Sequence, residues 1–173
     1  MLPTVNYRDP NKQRKYRSEL LQIYNNKCPI TNTTQDLEAA HIVPWILCNK
    51  ININISYCKY NGVILSRKIH RSEFEPFKFT FDYPNYQYYD DDYIKIGFIT
   101  QNDYKLKIYN YRYRKILMPK PSLYFIRYHY YEYQKKHNPN QNYLENIDYL
   151  EQIKHIDNKS VYDKDSDTIM LPV

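Results

Sequence analysis

The run "LEAAHIVPW", residues 37–45, constrains this chain more than any other stretch, because a histidine ends a short apolar segment and a proline stops it. The pattern predicts a strand at about 37–42, terminated by Pro44. A core strand has no use for an imidazole at its exit, whereas a reacting phosphate does. Further along, Asn61-Gly62 is a strong turn signal, "VILS" after it reads as a second buried strand, and "RKIHRSEF" suits a short helix bearing Arg67, Lys68, His70 and Arg71. The order is therefore strand, long loop, strand, helix.

Around this unit the periodicities are simple. Asp9-Pro10 reads as an N-cap with proline at the first helical position, and Tyr16, Leu20 and Tyr24 then recur every fourth residue, which predicts an amphipathic helix over roughly 10–26. The segment between Leu47 and Gly62 is expected to be a loop. Phe77, Phe79 and Phe81, then Ile94, Ile96 and Phe98, then Leu106 and Ile108 alternate with period two and predict antiparallel strands, with the acidic "YYDDDY" as a solvated turn between the first two. After Pro119 and Pro121 a second helix is predicted, with Leu123, Ile126, Tyr130 and Tyr133 on one face. The reading is one main domain over residues 1–137, followed by an acidic polar C-terminal tail over 138–173 that holds a short helix between about Tyr143 and Ile153.

Charge separates the two parts. The net charge is +6, but the tail holds three Lys/Arg against seven Asp/Glu, leaving 22 against 12 in the body. A basic body draws in polyanions such as nucleic acid. The 22 tyrosines carry less weight, because Tyr, Asn, Ile and Lys all have AT-rich codons, so a biased genome explains their excess without base stacking. No run reaches the apolar length of a membrane span and "MLPTVNYRDP" lacks a signal-peptide core, so an intracellular protein without membrane contact is expected. Cys28, Cys48 and Cys58 form no paired spacing and are read as core residues rather than a zinc site or a disulfide framework.

The segments "CPITN", "LEAAHIVPW", "NGVIL" and "IHRSEF" appear in that order, with His70 nine residues after Asn61. In this the chain resembles the HNH endonuclease family, in the branch that reads Cys-x-Ile-Thr-Gly, Leu-Glu-Ala-Ala-His-Ile-x-Pro-Trp, Asn-Gly-hydrophobic-hydrophobic-Leu, and then His with a Phe shortly after. "FKFTFD" looks like the family's following strand. "PSLYFIRYHYYEY" is similar to its C-terminal helix, which makes His129 a family-like position with a structural role.

The resemblance implies an α+β fold with an HNH ββα-metal core, flanking helices and a small antiparallel sheet. It also implies a metal-dependent DNA endonuclease, since phosphodiester hydrolysis needs a water deprotonated near neutral pH and a cation to neutralise the phosphate. His41 would be the general base, Asn61 would fix its geometry or ligate the metal, and His70 would be a metal ligand. One divalent ion is implied, Mg²⁺ or Mn²⁺ if oxygen ligands dominate and Zn²⁺ or Ni²⁺ if a second imidazole joins. The partner would be nucleic acid, double-stranded DNA foremost, while the oligomeric state is left open.

Two departures stand out. Many HNH proteins have an Asp or His metal ligand just before the base, where this chain and the closer branch have Ala40. Glu38 shares the face of position 40 and is the substitute ligand considered, although a strand carboxylate is often simply solvated. Phe74 lies four positions after His70 rather than three, and Glu75 stands where the family has Asp. Arg67, Lys68 and Arg71 are read either as DNA phosphate contacts or as charges that keep the helix soluble. The competing function is a catalytically inactive HNH-fold module that binds nucleic acid, which Ala40 favours.

Overall fold

A computed structural model describes residues 8–51 and 53–141. The expected tail helix lies outside the described residues. Helix α1 (Pro10–Ile23) begins as the sequence predicts, with the Asp9 carboxylate accepting the N–H groups of Asn11 at 2.8 Å and Lys12 at 3.2 Å. Such a cap contributes about 1 kcal/mol. The helix stops before the predicted residue 26, because Asn25 and Asn26 take left-handed backbone angles, φ 53° and 55°, that asparagine tolerates.

Strands β1 (Leu37–His41) and β2 (Gly62–Ser66) form an antiparallel pair in which Glu38 faces Leu65, Ala40 faces Val63 and His41 faces Gly62. Helix α1 packs on this pair through Tyr16 and Leu20, both buried. Gly62 is required there by closeness. A Cβ at this position would lie 2.2 Å from the Tyr16 hydroxyl and 2.7 Å from Leu20 Cδ1. Asn61-Gly62 is accordingly not the hairpin turn its sequence suggests: Asn61 closes a 3₁₀ turn (Lys59–Asn61), and Gly62 enters β2 in extended backbone at φ −156°. The expected loop between the strands also contains helix α2 (Trp45–Ile51) and a 3₁₀ turn (Ile53–Tyr57).

Strand β2 runs directly into α3 (Arg67–Ile69), which continues as a π turn from His70 to Phe74. The Glu75 N–H donates to the His70 carbonyl at 2.9 Å, five residues back. This wider turn takes up the extra residue between His70 and Phe74, and Phe74 still reaches the core.

Beyond it, β3 (Phe79–Phe81) pairs with β6 (Phe98–Thr100), and β5 (Tyr93–Ile96) lies between β4 (Gln87–Tyr88) and β7 (Ile116–Pro119), all antiparallel. The acidic tip is an exposed turn whose Asp90 carboxylate accepts the N–H groups of Asp92 and Tyr93. The expected strand at Leu106 and Ile108 is a correction: these residues open a 3₁₀ turn (Lys107–Tyr111), and Phe77, with φ 53°, precedes its strand rather than joining it. Strand β7 carried no signal in the sequence reading.

Helix α4 (Leu123–His137) closes the molecule by packing on β3, burying Leu123, Phe125, Ile126 and His129. The result is an α+β fold with one continuous apolar core. All three cysteines are buried and free. Among the described residues no helix is long and apolar enough to cross a membrane.

Candidate active site

His41 ends β1 between α1 and the 53–57 turn. Its ring stacks on Tyr16 with centroids 4.8 Å apart, and Nε2 lies 2.7 Å from the Ser56 carbonyl oxygen. A carbonyl only accepts, so Nε2 carries the proton and Nδ1 keeps its lone pair. Burial, assisted by the charges of Arg8 and His70, pulls the imidazole down to a pKa of about 4 against the opposing pull of the Ser56 bond. At neutral pH the ring is uncharged and able to accept a proton.

Asn61 is fully buried and works on the loop that follows His41. Its Oδ1 accepts the Val43 N–H at 2.7 Å, while Nδ2 lies within donating distance of Ile55 O at 3.2 Å, Val43 O at 3.3 Å and Cys48 Sγ at 3.3 Å. The carboxamide thus staples residues 43–55 to the start of β2 and fixes the exit of β1 from behind. The metal-ligand role expected of Asn61 finds no exposed atom to perform it. Its positioning role fits every bond it makes.

A second group forms where β1 meets α3. The Glu38 carboxylate receives Arg67 Nε at 3.1 Å and Arg71 Nη2 at 2.7 Å on Oε1, and His70 Nδ1 at 2.8 Å and Arg71 Nε at 3.1 Å on Oε2. Partial burial pushes the Glu38 pKa up, but the hydrogen bonds from Arg71 and His70 prevail and hold the carboxyl below its ordinary value. Both oxygens of Glu38, the substitute metal ligand weighed in the sequence, therefore accept hydrogen bonds from Arg67, His70 and Arg71. Because Glu38 only accepts, His70 Nδ1 donates to it, which leaves Nε2 on the outer side of the ring. That atom points to Glu75 Oε1 at 3.4 Å.

Four of the residues singled out by sequence, Glu38, Arg67, His70 and Arg71, converge on one cluster. His41 does not join it. By the two-residue alternation of β1, Glu38 and Ala40 share one face and His41 turns to the other, toward Tyr16. The two imidazoles are linked through space, the His70 charge opposing a charge on His41. Ala40 is fully buried and offers no donor. Among the described residues no group of three His, Cys, Asp or Glu side chains is arranged to hold a metal. Lys68 stands apart on the neighbouring cleft.

Tyr16 and Ser56 escaped the sequence reading as site residues. Tyr16 is visible there only as one of several apolar helix positions, and Ser56 acts through its backbone, which no side-chain pattern reveals. Glu73 escaped as well. It is 4% exposed and accepts the N–H groups of Lys107 at 2.7 Å and Ile108 at 2.9 Å.

Two antiparallel strands running into a helix, with a neutral histidine at the end of the first and another histidine on the helix, define an α+β protein built around a ββα unit of nuclease type. The family comparison agrees with that unit: residues 28–82 match the model of the HNH endonuclease family. No curated protein and no solved structure matches the chain.

Proposed function

We propose that the chain is a metal-dependent DNA endonuclease with His41 as its general base. The observation that carries this reading is the state of His41, whose Nε2–H is committed to the Ser56 carbonyl and whose Nδ1 lone pair is available on a neutral ring. In phosphodiester hydrolysis, Nδ1 takes a proton from the attacking water as its oxygen bonds to phosphorus. The bond to the 3′ oxygen breaks, and that oxygen leaves with a proton from solvent. The Tyr16 stack and the Ser56 bond fix the ring plane, so little reorganisation is needed when the proton moves.

The family implies a divalent cation, and the donors around His70 fit one. With Nδ1–H given to Glu38, His70 Nε2 and a Glu75 carboxylate oxygen lie 3.4 Å apart on the outer side of the ring, where a cation would take the place of a proton between them. His70 Nε2 and Glu75 would hold the ion, and Glu38, fastened by Arg67 and Arg71, would set the tautomer and orientation of His70. Two protein donors leave the remaining positions to water and substrate, as suits Mg²⁺ or Mn²⁺. When bound, such an ion neutralises the phosphate and the departing oxygen.

Plasmid nicking with added Mg²⁺ or Mn²⁺, against the same reaction in EDTA, tests the proposal. Metal-dependent nicking that is lost in His41→Ala supports it, and nicking that survives this substitution overturns the assignment of the base. The second reading, a module that binds DNA without cutting it, is favoured by Ala40 and by the lack of a three-donor cluster. It predicts salt-sensitive DNA binding with no nicking under any metal.

A further inference from the structure

Beside α3 the surface opens into a cleft of about 680 Å³. Its lining includes Lys68 and Arg71 from the α3 segment and π turn, Lys107 and Asn110 from the 107–111 turn, and Thr31 and Asp36 from the chain before β1. Arg71 belongs both to this cleft and to the Glu38 cluster, so the two are contiguous.

The two lysines are arranged unusually. Lys68 and Lys107 meet side chain to side chain in it, and this contact lowers the Lys107 pKa. Among the described residues neither makes an ion pair with a carboxylate. Two ammonium groups in contact repel each other, a repulsion offset in part by the charge of Glu73, and the fold holds them there through that buried carboxylate. Glu73 leaves the end of the π turn and takes the first two N–H groups of the 107–111 turn, fixing Lys107 against the helix that carries Lys68. The pair is relieved by a ligand with negative charge on exposed oxygens.

We infer that this cleft is the track for the sugar-phosphate backbone of duplex DNA, with one phosphate between Lys68 and Lys107 and a neighbouring one reached by Arg71. Choosing DNA as the polymer rests on the proposed nuclease function. The cleft chemistry alone requires successive phosphodiesters. Asn110 and Thr31 add neutral hydrogen-bonding groups to the lining, and Asp36, whose carbonyl accepts the Arg67 N–H at 2.7 Å, adds a carboxylate beside the basic residues.

The test is binding of a short fluorescent DNA duplex to the full chain in EDTA, so that nothing is cut, over a range of salt concentrations. Lys68→Gln/Lys107→Gln is compared with Lys95→Gln/Lys115→Gln, which removes the same charge from β5 and from the residue just before β7. The cleft variant is expected to bind about tenfold more weakly and to lower the slope of log Kd against log salt by roughly 1–2, the loss of one or two phosphate contacts. The sheet variant is expected to keep the wild-type slope. Equal behaviour of the two variants, with both melting as wild type, overturns the inference even if the wild type nicks DNA. A lowered slope in the cleft variant alone supports it even if no metal produces nicking, so the two proposals fail separately.

Discussion

His41 and His129 are both neutral and both held far below the ordinary imidazole pKa by desolvation, at about 4 and about 3. Their surroundings differ completely. His129 is enclosed between Phe74, stacked at 4.2 Å, and Phe77 at 4.5 Å, with Nδ1 bonded to Thr80 Oγ1 at 3.0 Å, and it joins α4 to β3. His41 is only half-buried at the end of a strand, with one nitrogen anchored and the other uncommitted. A lowered pKa alone marks burial. A lowered pKa with a free nitrogen at a rim marks a proton acceptor.

Paired substitutions separate the two histidines. His41→Ala should lower the plasmid-nicking rate by roughly 10²–10⁴-fold, the usual worth of a positioned base, while shifting the melting temperature little. His129→Ala should do the reverse, costing on the order of 2–5 kcal/mol in denaturant unfolding through a cavity among aromatic rings, with the folded fraction still nicking at the wild-type rate. A His129 variant that folds normally but cannot cut would break the comparison.

The supporting carboxylates come next in size. Glu73→Ala should cost about 2–4 kcal/mol, because two buried N–H groups lose a charged acceptor, and chemical denaturation measures it. Glu38→Gln should instead leave stability within about 1 kcal/mol and weaken Mn²⁺ binding by about 10–100-fold, read by titration of the ion's paramagnetic signal.

Acid sharpens the same contrast. Each histidine binds a proton in the unfolded chain below about 6.5 but in the folded chain only near 4 or 3, so the unfolded state holds more protons in between. Stability from both groups is therefore complete above pH 6.5 and falls as the pH drops toward 4, by on the order of a few kcal/mol. Unfolding followed from pH 7 to 4 should show this loss, and His129→Phe should flatten part of it. At Gly62 an alanine meets Tyr16 and Leu20 and should cost about 1–3 kcal/mol, with a matching loss of order in the His41 ring.

Much of the fold was legible locally. The Asp9 cap, the apolar strand ended by His41, the "VILS" strand and the helix after Pro121 are all written in short-range pattern, and the extra residue before Phe74 was visible as a spacing that the π turn absorbs. What was not legible depends on distant partners. Leu106 and Ile108 alternate as a strand would, but Glu73, 34 and 35 residues away from the two N–H groups it holds, makes a turn of them. Asn61-Gly62 has turn chemistry, yet Gly62 is dictated by Tyr16 on another helix. Within the site, sequence selected the histidines and Glu38 but not their division between two faces, because the three arginine and histidine donors that occupy Glu38 meet it only in the folded chain.

The central claim is that a free imidazole nitrogen at the end of β1 takes the proton from water, and chemical rescue tests it most directly. Removing the His41 side chain leaves the Tyr16 face and the Ser56 carbonyl as a seat for free imidazole. His41→Ala is predicted to regain metal-dependent nicking as imidazole is added, and to regain none in EDTA. Undiminished nicking by the variant without imidazole would contradict the claim.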